Sequence, residues 1–241
     1  MTAGVTYARK GDLLEITLCR PERRNALGAT EWIVLEEAIL HAEHDETCEF
    51  VLLRGEGDFF CSGVDLKLIE ESSRSEGGLP RLIEAKGAIL QRLERLPQFV
   101  IVALNGPAVG IGTHIALCAD FILATGASYL WIPEAKLGIA DVQHYRLIEQ
   151  RMGRTAALSM LVLGQRLSAQ EAVARGVIGQ VYADQAALAE GVTDYLGRLR
   201  GVGKSVRSAF KTYMNSLEGR SDASGQLAAS TFVLDRRDAS S

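Results

Sequence analysis

A chain of 241 residues is long enough for one domain with a large apolar core, and its 47% hydrophobic and 23% charged residues exclude global disorder. The formal net charge of −4 argues against nonspecific binding to nucleic acid or anionic membrane, and no apolar run reaches the roughly 18–20 residues of a membrane-spanning helix. The charged amino terminus (MTAGVTYARKGDLLE) lacks the apolar stretch of a secretory leader, and Cys19, Cys48, Cys61 and Cys118 form no C-x-x-C pair, so a cytoplasmic chain with reduced thiols is expected.

Val5–Arg9 and Leu13–Leu18 are strands about the turn Lys10-Gly11-Asp12. After a polar turn at Arg20–Asn25, Thr30 is placed to cap a helix through about His44, with Trp32, Leu35, Ile39 and Leu40 on its apolar face. Phe50–Leu53 is a buried strand. Glu70–Gly78 (EESSRSEGG) reads as a loop, and Leu79–Leu96 as a helix stopped by Pro97. The strand Phe99–Leu104, a small-residue helix Gly110–Leu117, the strand Phe121–Ala124 and a short aromatic strand at Tyr129-Leu130-Trp131 follow. Helices then dominate: Val142–Met152, Thr155–Leu163, Ala169–Arg175, Gln185–Leu199 and Val202–Leu217, interrupted by a strand at Ile178–Tyr182. The pattern is α/β with a helical carboxyl-terminal region, and its continuous apolar strands imply a sheet covered on both faces.

The chain has no G-x-x-x-x-G-K-[ST], no strand-linked G-x-G-x-x-G, no G-x-S-x-G and no H-E-x-x-H or Cys/His cluster, so neither a nucleotide fingerprint nor a metal site is indicated. Four segments stand out instead: Arg20–Leu27 (RPERRNAL), Phe59–Leu66 (FFCSGVDL), Ala103–Ala124 (ALNGPAVGIGTHIALCADFILA) and Trp131–Gly138 (WIPEAKLG). In this order and spacing they resemble the enoyl-CoA hydratase/isomerase (crotonase) superfamily over nearly the whole chain.

The resemblance implies a crotonase-like spiral of ββα units over residues 1–195 and a helical trimerisation region over 196–241, assembled as a homotrimer or dimer of trimers. It implies an acyl-CoA substrate and no cofactor beyond the coenzyme A of that substrate. The family stabilises an enolate-like oxyanion with two backbone N–H groups, which here fall on Ser62 and Ile111. Ile111 departs from the glycine common at that position, and a β-branched residue cannot adopt a positive φ cheaply. The paired glutamates of the hydratases correspond to His114 and Glu134, so one of the two is replaced. A lone glutamate at the second position is similar to the pattern of Δ3,Δ2-enoyl-CoA isomerases, whereas His114 is either a substitute acid/base or a core histidine. Asp141 is either a further acid/base, as in dienoyl-CoA isomerases, or the N-cap of the following helix, the cap being preferred. Arg23 and Arg24 match the cations that meet CoA phosphates, with Ala26, Leu27, Ser62, Gly63, Val64, Leu66 and Gly110 lining the substrate and Asp65 as a structural anchor. Lys204 and Lys211 occupy a helix where family members present a basic group to CoA. Double-bond isomerisation is the favoured expectation, with His114-assisted hydration or non-catalytic acyl-CoA binding as alternatives.

Overall fold

The computed structural model describes residues 4–218 except Asp141 and Gln143. Strands β1 (Val5–Lys10) and β2 (Leu13–Leu18) make the expected hairpin, with Gly11 at φ 65° in its turn. Then come α1 (Ala29–His44), β3 (Phe50–Gly55), α2 (Leu66–Ser73), α3 (Gly78–Glu94), β4 (Phe99–Leu104), β5 (Ala108–Val109), α4 (Ile111–Leu117), β6 (Phe121–Thr125) and β7 (Tyr129–Trp131). A 3-10 turn at Glu134–Leu137 leads to α5 (Tyr145–Met152), α6 (Arg154–Leu161), β8 (Leu167–Ser168), α7 (Ala169–Ala174), β9 (Gln180–Tyr182), α8 (Gln185–Arg200) and α9 (Lys204–Glu218).

Six strands form one sheet in the order β1-β2-β3-β4-β6-β9, parallel from β2 onward, and β5-β7-β8 form a small second sheet. Successive side chains of a strand point to opposite faces. Val51 and Leu53 of β3, with Val100, Val102 and Leu104 of β4, therefore enter the larger core with α1 and α3. Phe50, Leu52, Ile101 and Ala103 enter a second core closed by Leu188, Val192 and Leu196 of α8. Both faces of the sheet are covered, which is why the strands are apolar without alternation.

Three readings are corrected. The loop expected at Glu70–Gly78 begins inside α2, an eight-residue helix whose N-cap is Asp65, its carboxylate accepting from Lys67 N–H at 3.1 Å. Short polar helices carry too little apolar periodicity to be read from sequence. Helix α1 starts from Gly28 rather than Thr30, because the Glu31 carboxylate accepts the Gly28 N–H at 3.0 Å. Helix α5 starts at Tyr145 with His144 at its N-cap, which overturns the N-cap assignment of Asp141; Asp141 itself lies outside the described residues.

Helix α9 is inverted relative to an ordinary surface helix. Lys211 is 2% exposed and bridges Asp120 at 2.7 Å, Arg207 pairs with Glu49, and Asn215 donates to the Arg95 carbonyl at 2.8 Å. Its outward stripe carries Val206, Phe210, Tyr213 and Met214. Lys211 is thus spent as an internal ion pair that docks the helix, contrary to the expected role toward CoA, whereas Lys204 pairs with Glu49 at 3.3 Å and keeps a largely exposed side chain. Residues 219–241, with the remainder of the expected trimerisation region, lie outside the described residues.

Lys86 of α3 is 4% exposed and sits over the Trp32 ring of α1, 5.4 Å from its centre. Burial pushes its ammonium down to about 7, against an ordinary value of about 10.4. Between those values the unfolded chain binds a proton that the folded chain does not, so this group makes stability rise with pH across that window. Lys86→Met keeps the aliphatic stem and removes the titration. Urea unfolding from pH 7 to pH 10 should show a flatter slope for the variant and about 1–3 kcal/mol of added stability at pH 7. An unchanged slope would contradict the assignment.

Candidate active site

Two asparagines hold the loop that follows β3. Asn25, 1% exposed and left-handed at φ 56°, donates to the carbonyls of Glu56 at 2.9 Å and Phe59 at 2.7 Å. Asn105, at the end of β4, donates to the Gly57 carbonyl at 2.8 Å and accepts the Gly55 N–H at 3.0 Å. Neither was given a role from sequence, although both stand inside the motif segments, in Asn25-Ala26-Leu27 and Asn105-Gly106-Pro107. Isolated asparagines carry no periodic signal, and their use as clamps depends on contacts about 31 and 48 positions away in sequence.

The clamped loop runs directly against the turn into α4. Phe60 N–H donates to the Pro107 carbonyl at 3.1 Å and Val109 N–H to the Cys61 carbonyl at 2.9 Å. A Cβ on Gly112 would lie 2.5 Å from the Cys61 carbonyl oxygen, so only glycine lets the helix approach this closely. The two segments assigned to oxyanion binding are therefore packed on each other. Gly110 supplies the turn, with φ 54° and ψ −124°. Ile111 consequently needs no positive φ: it is the first residue of α4, and a first-turn amide has no acceptor within its own helix. The conflict expected from a β-branched residue is resolved by placing the strained angle one residue earlier.

Strand β7 is tied to the same helix start. Gly110 N–H donates to the Trp131 carbonyl at 2.7 Å. The Thr113 hydroxyl donates to the Ala108 carbonyl at 2.8 Å and accepts the Trp131 N–H at 3.1 Å. Pro133 then turns the chain and Glu134 opens the 3-10 turn. Its carboxylate lies against Gly110: a Cβ built there would be 2.5 Å from Glu134 Oε1. The carboxylate thus lies against the glycine that immediately precedes the first residue of α4. His114, one turn further along α4, is 1% exposed and stacks on His144, with ring centres 4.2 Å apart and planes tilted by 35°. Thr113 and His144 were not singled out from sequence as site residues; only their three-dimensional neighbours show what they do.

The substrate segments are also brought together. Leu27 N–H donates to the Gly63 carbonyl and Asp65 N–H to the Leu27 carbonyl, both at 2.9 Å, which joins Ala26-Leu27 to Gly63-Val64-Asp65. Asp65 pairs with Arg20 at 3.2 Å, and Arg20 with Glu31 at 3.1 Å, so Asp65 is an anchor. Arg23, Arg24 and Leu66 are exposed, and the Arg24 guanidinium lies 5.2 Å from the centre of the Phe59 ring. Two assignments change. The Leu27 side chain is buried in the core at 1% exposure, so only its backbone faces the Gly63 segment. The Ser62 N–H donates to the Arg24 carbonyl at 2.9 Å, turned toward it by the left-handed backbone of Arg24 at φ 52°, so this amide is not presented to a ligand. Beside the Arg20 network lies a cleft of about 670 Å³. It is lined by Glu22, Glu31, Asp65 and Glu71 against Arg20 and Lys67, an acidic balance unsuited to phosphates.

No disulfide joins the four thiols, and burial pushes the Cys61 thiol up to about 12, which keeps it protonated and inert. Among the described residues no group of three or more His, Cys, Asp or Glu is arranged for a metal, and no helix is long and apolar enough to cross a membrane.

A parallel-rich sheet wound with helices has the architecture of crotonase-fold proteins. Residues 8–234 match the family model described as enoyl-CoA hydratase/isomerase, and the chain belongs to that family. It is similar to 1,2-epoxyphenylacetyl-CoA isomerase of Escherichia coli, with 34% identity over 66% of this chain and 62% of that protein. It is also similar to Δ(3,5)-Δ(2,4)-dienoyl-CoA isomerase of Pyricularia oryzae, with 30% identity over 68% of this chain and 63% of that one. The alignments thus span about three fifths of these relatives' lengths. The crystal structure of an enoyl-CoA hydratase/isomerase from Marinobacter aquaeolei superposes with a TM-score of 0.84 at 26% identity, covering 93% of this chain and 87% of that one.

Proposed function

We propose that this chain acts on an acyl-CoA thioester by moving a double bond through an enolate, with Glu134 as the base. The observation that carries the reading is the Glu134 carboxylate resting on Gly110, beside the first amide of α4. In this scheme the thioester oxygen accepts from Ile111 N–H, where the helix start favours developing negative charge. Glu134 takes a proton from C2 of a 3-enoyl ester, the electrons move into the dienolate, and Glu134 returns the proton at C4. No water is added, which agrees with a single carboxylate and with His114 in place of the second. Arg23 and Arg24 would meet the CoA phosphates, and the Gly63–Leu66 backbone would line the adenine. No cofactor besides the coenzyme A of the substrate enters the reaction. The outward apolar stripe of α9 supports assembly, and a homotrimer or dimer of trimers is the form proposed, with the helical region after residue 195 as its contact and the cytoplasm as its setting.

A second reading, a non-catalytic acyl-CoA carrier, is favoured by one observation: the Ser62 N–H already serves the Arg24 carbonyl, which leaves Ile111 as the one of the two assigned oxyanion amides still available. A spectrophotometric assay with 2-enoyl, 3-enoyl and 3,5-dienoyl CoA esters of several lengths, joined to titration calorimetry, separates the readings. Turnover of a 3-enoyl or dienoyl ester without hydration is the expected result. Rapid hydration of a 2-enoyl ester would replace isomerisation by a His114-assisted hydratase, and tight binding without turnover would establish the carrier.

A further inference from the structure

The histidine that replaces a carboxylate in the site is not alone. His114 is 1% exposed on α4, and His144, half-buried at the start of α5, lies on its ring with centres 4.2 Å apart. Two imidazolium charges at this spacing, one of them buried, repel strongly, so a proton on one ring disfavours a proton on the other.

Among the described residues, the other ionisable groups on the elements around the pair are partnered, held neutral or exposed. Tyr145 donates to Glu149 at 2.8 Å and Arg151 donates to the Ala119 carbonyl at 2.5 Å, both from α5, while Arg146 is exposed. Cys118, one turn along α4, points its thiol at the Leu90 carbonyl, and Cys61 behind Gly112 is held protonated by burial. Among the described residues that leaves Glu134, on the 3-10 turn against Gly110, one helical turn before His114. An imidazolium at His114 would stabilise the Glu134 carboxylate and weaken it as a base.

We propose that His144 is a positioning residue for His114: it holds the buried ring by stacking, and the pair carries a single proton that resides on the less buried His144, leaving His114 uncharged beside Glu134. This rests on the reading of Glu134 as the base. The step needs no other reactant, since the proton exchanges with solvent.

The test compares His144→Phe, which keeps a stacking ring without a charge, with His144→Ala, which removes both. The imidazole signal of His114, assigned with His114→Asn, is followed by NMR against pH, alongside the pH profile of kcat on the best ester. Removing the His144 charge should let His114 bind its proton about tenfold more tightly, which moves its titration and the acid limb of kcat up by about one pH unit. His144→Phe should keep the kcat plateau, and His144→Ala should lower it about tenfold. An unmoved His114 titration in His144→Phe would overturn the proposal, whether or not the protein turns over an ester. A shifted titration in a protein that turns over none would support the pair and overturn the isomerase reading instead.

Discussion

Replacing Glu134 by glutamine is expected to lower kcat by about 10²–10⁴-fold, while calorimetry finds CoA-ester affinity within a few-fold of the parent. Glutamine preserves the size and hydrogen-bonding atoms of the side chain but cannot take up the substrate proton. The affinity should survive because the groups proposed to hold CoA, Arg23, Arg24 and the Gly63–Leu66 backbone, stand on other elements and depend on Asn25 and the Arg20–Asp65 pair for their shape. A variant retaining more than a tenth of the parental kcat would remove Glu134 from the chemistry and shift attention to His114. A variant that loses affinity in proportion to kcat would show that Glu134 holds the ester and does not move a proton.

Gly110→Ala is expected to be nearly as damaging for a different reason. Gly110 has φ 54° and ψ −124°, a conformation that L side chains rarely adopt, costing on the order of 1–3 kcal/mol. The new methyl would also stand 2.5 Å from Glu134 Oε1, so the carboxylate must shift from its place against the start of α4. A displacement of about 1 Å at reacting groups costs on the order of 10²-fold in rate. Gly11→Ala is the control: Gly11 is also positive in φ, at 65°, but a Cβ there meets nothing within 4 Å. Both variants should melt below the parent, and only Gly110→Ala should lose activity. Equal activity in the two would show that the contact between Gly110 and Glu134 does not serve the reaction.

Much of the fold was legible because its signals are local. The apolar runs at Leu13–Leu18, Phe99–Leu104 and Phe121–Thr125 are strands, and Pro97 stands just past the end of α3. What escaped was either short or polar. Helix α2 rests on the Asp65 cap and carries no buried residue, and β5 and β8 are two residues each. The candidate site divides in the same way. The resemblance of the motif segments to the family singled out Glu134, Ile111 and His114, since it aligns each with a position in an ordered run of residues.

By itself, then, the amino-acid sequence determined the family, the α/β winding and the segments that meet at the site, because these depend on periodicity and on motifs read along the chain. Tertiary structure alone decided which groups are available. It spent the Ser62 amide on the Arg24 carbonyl and Lys211 on Asp120, and it placed the positive φ on Gly110 instead of Ile111. It also set His144 against His114. The three contacts share one physical reason. A hydrogen bond, an ion pair or a ring contact is made with whatever the fold brings within a few ångströms, and those partners lie up to about 91 residues away in sequence.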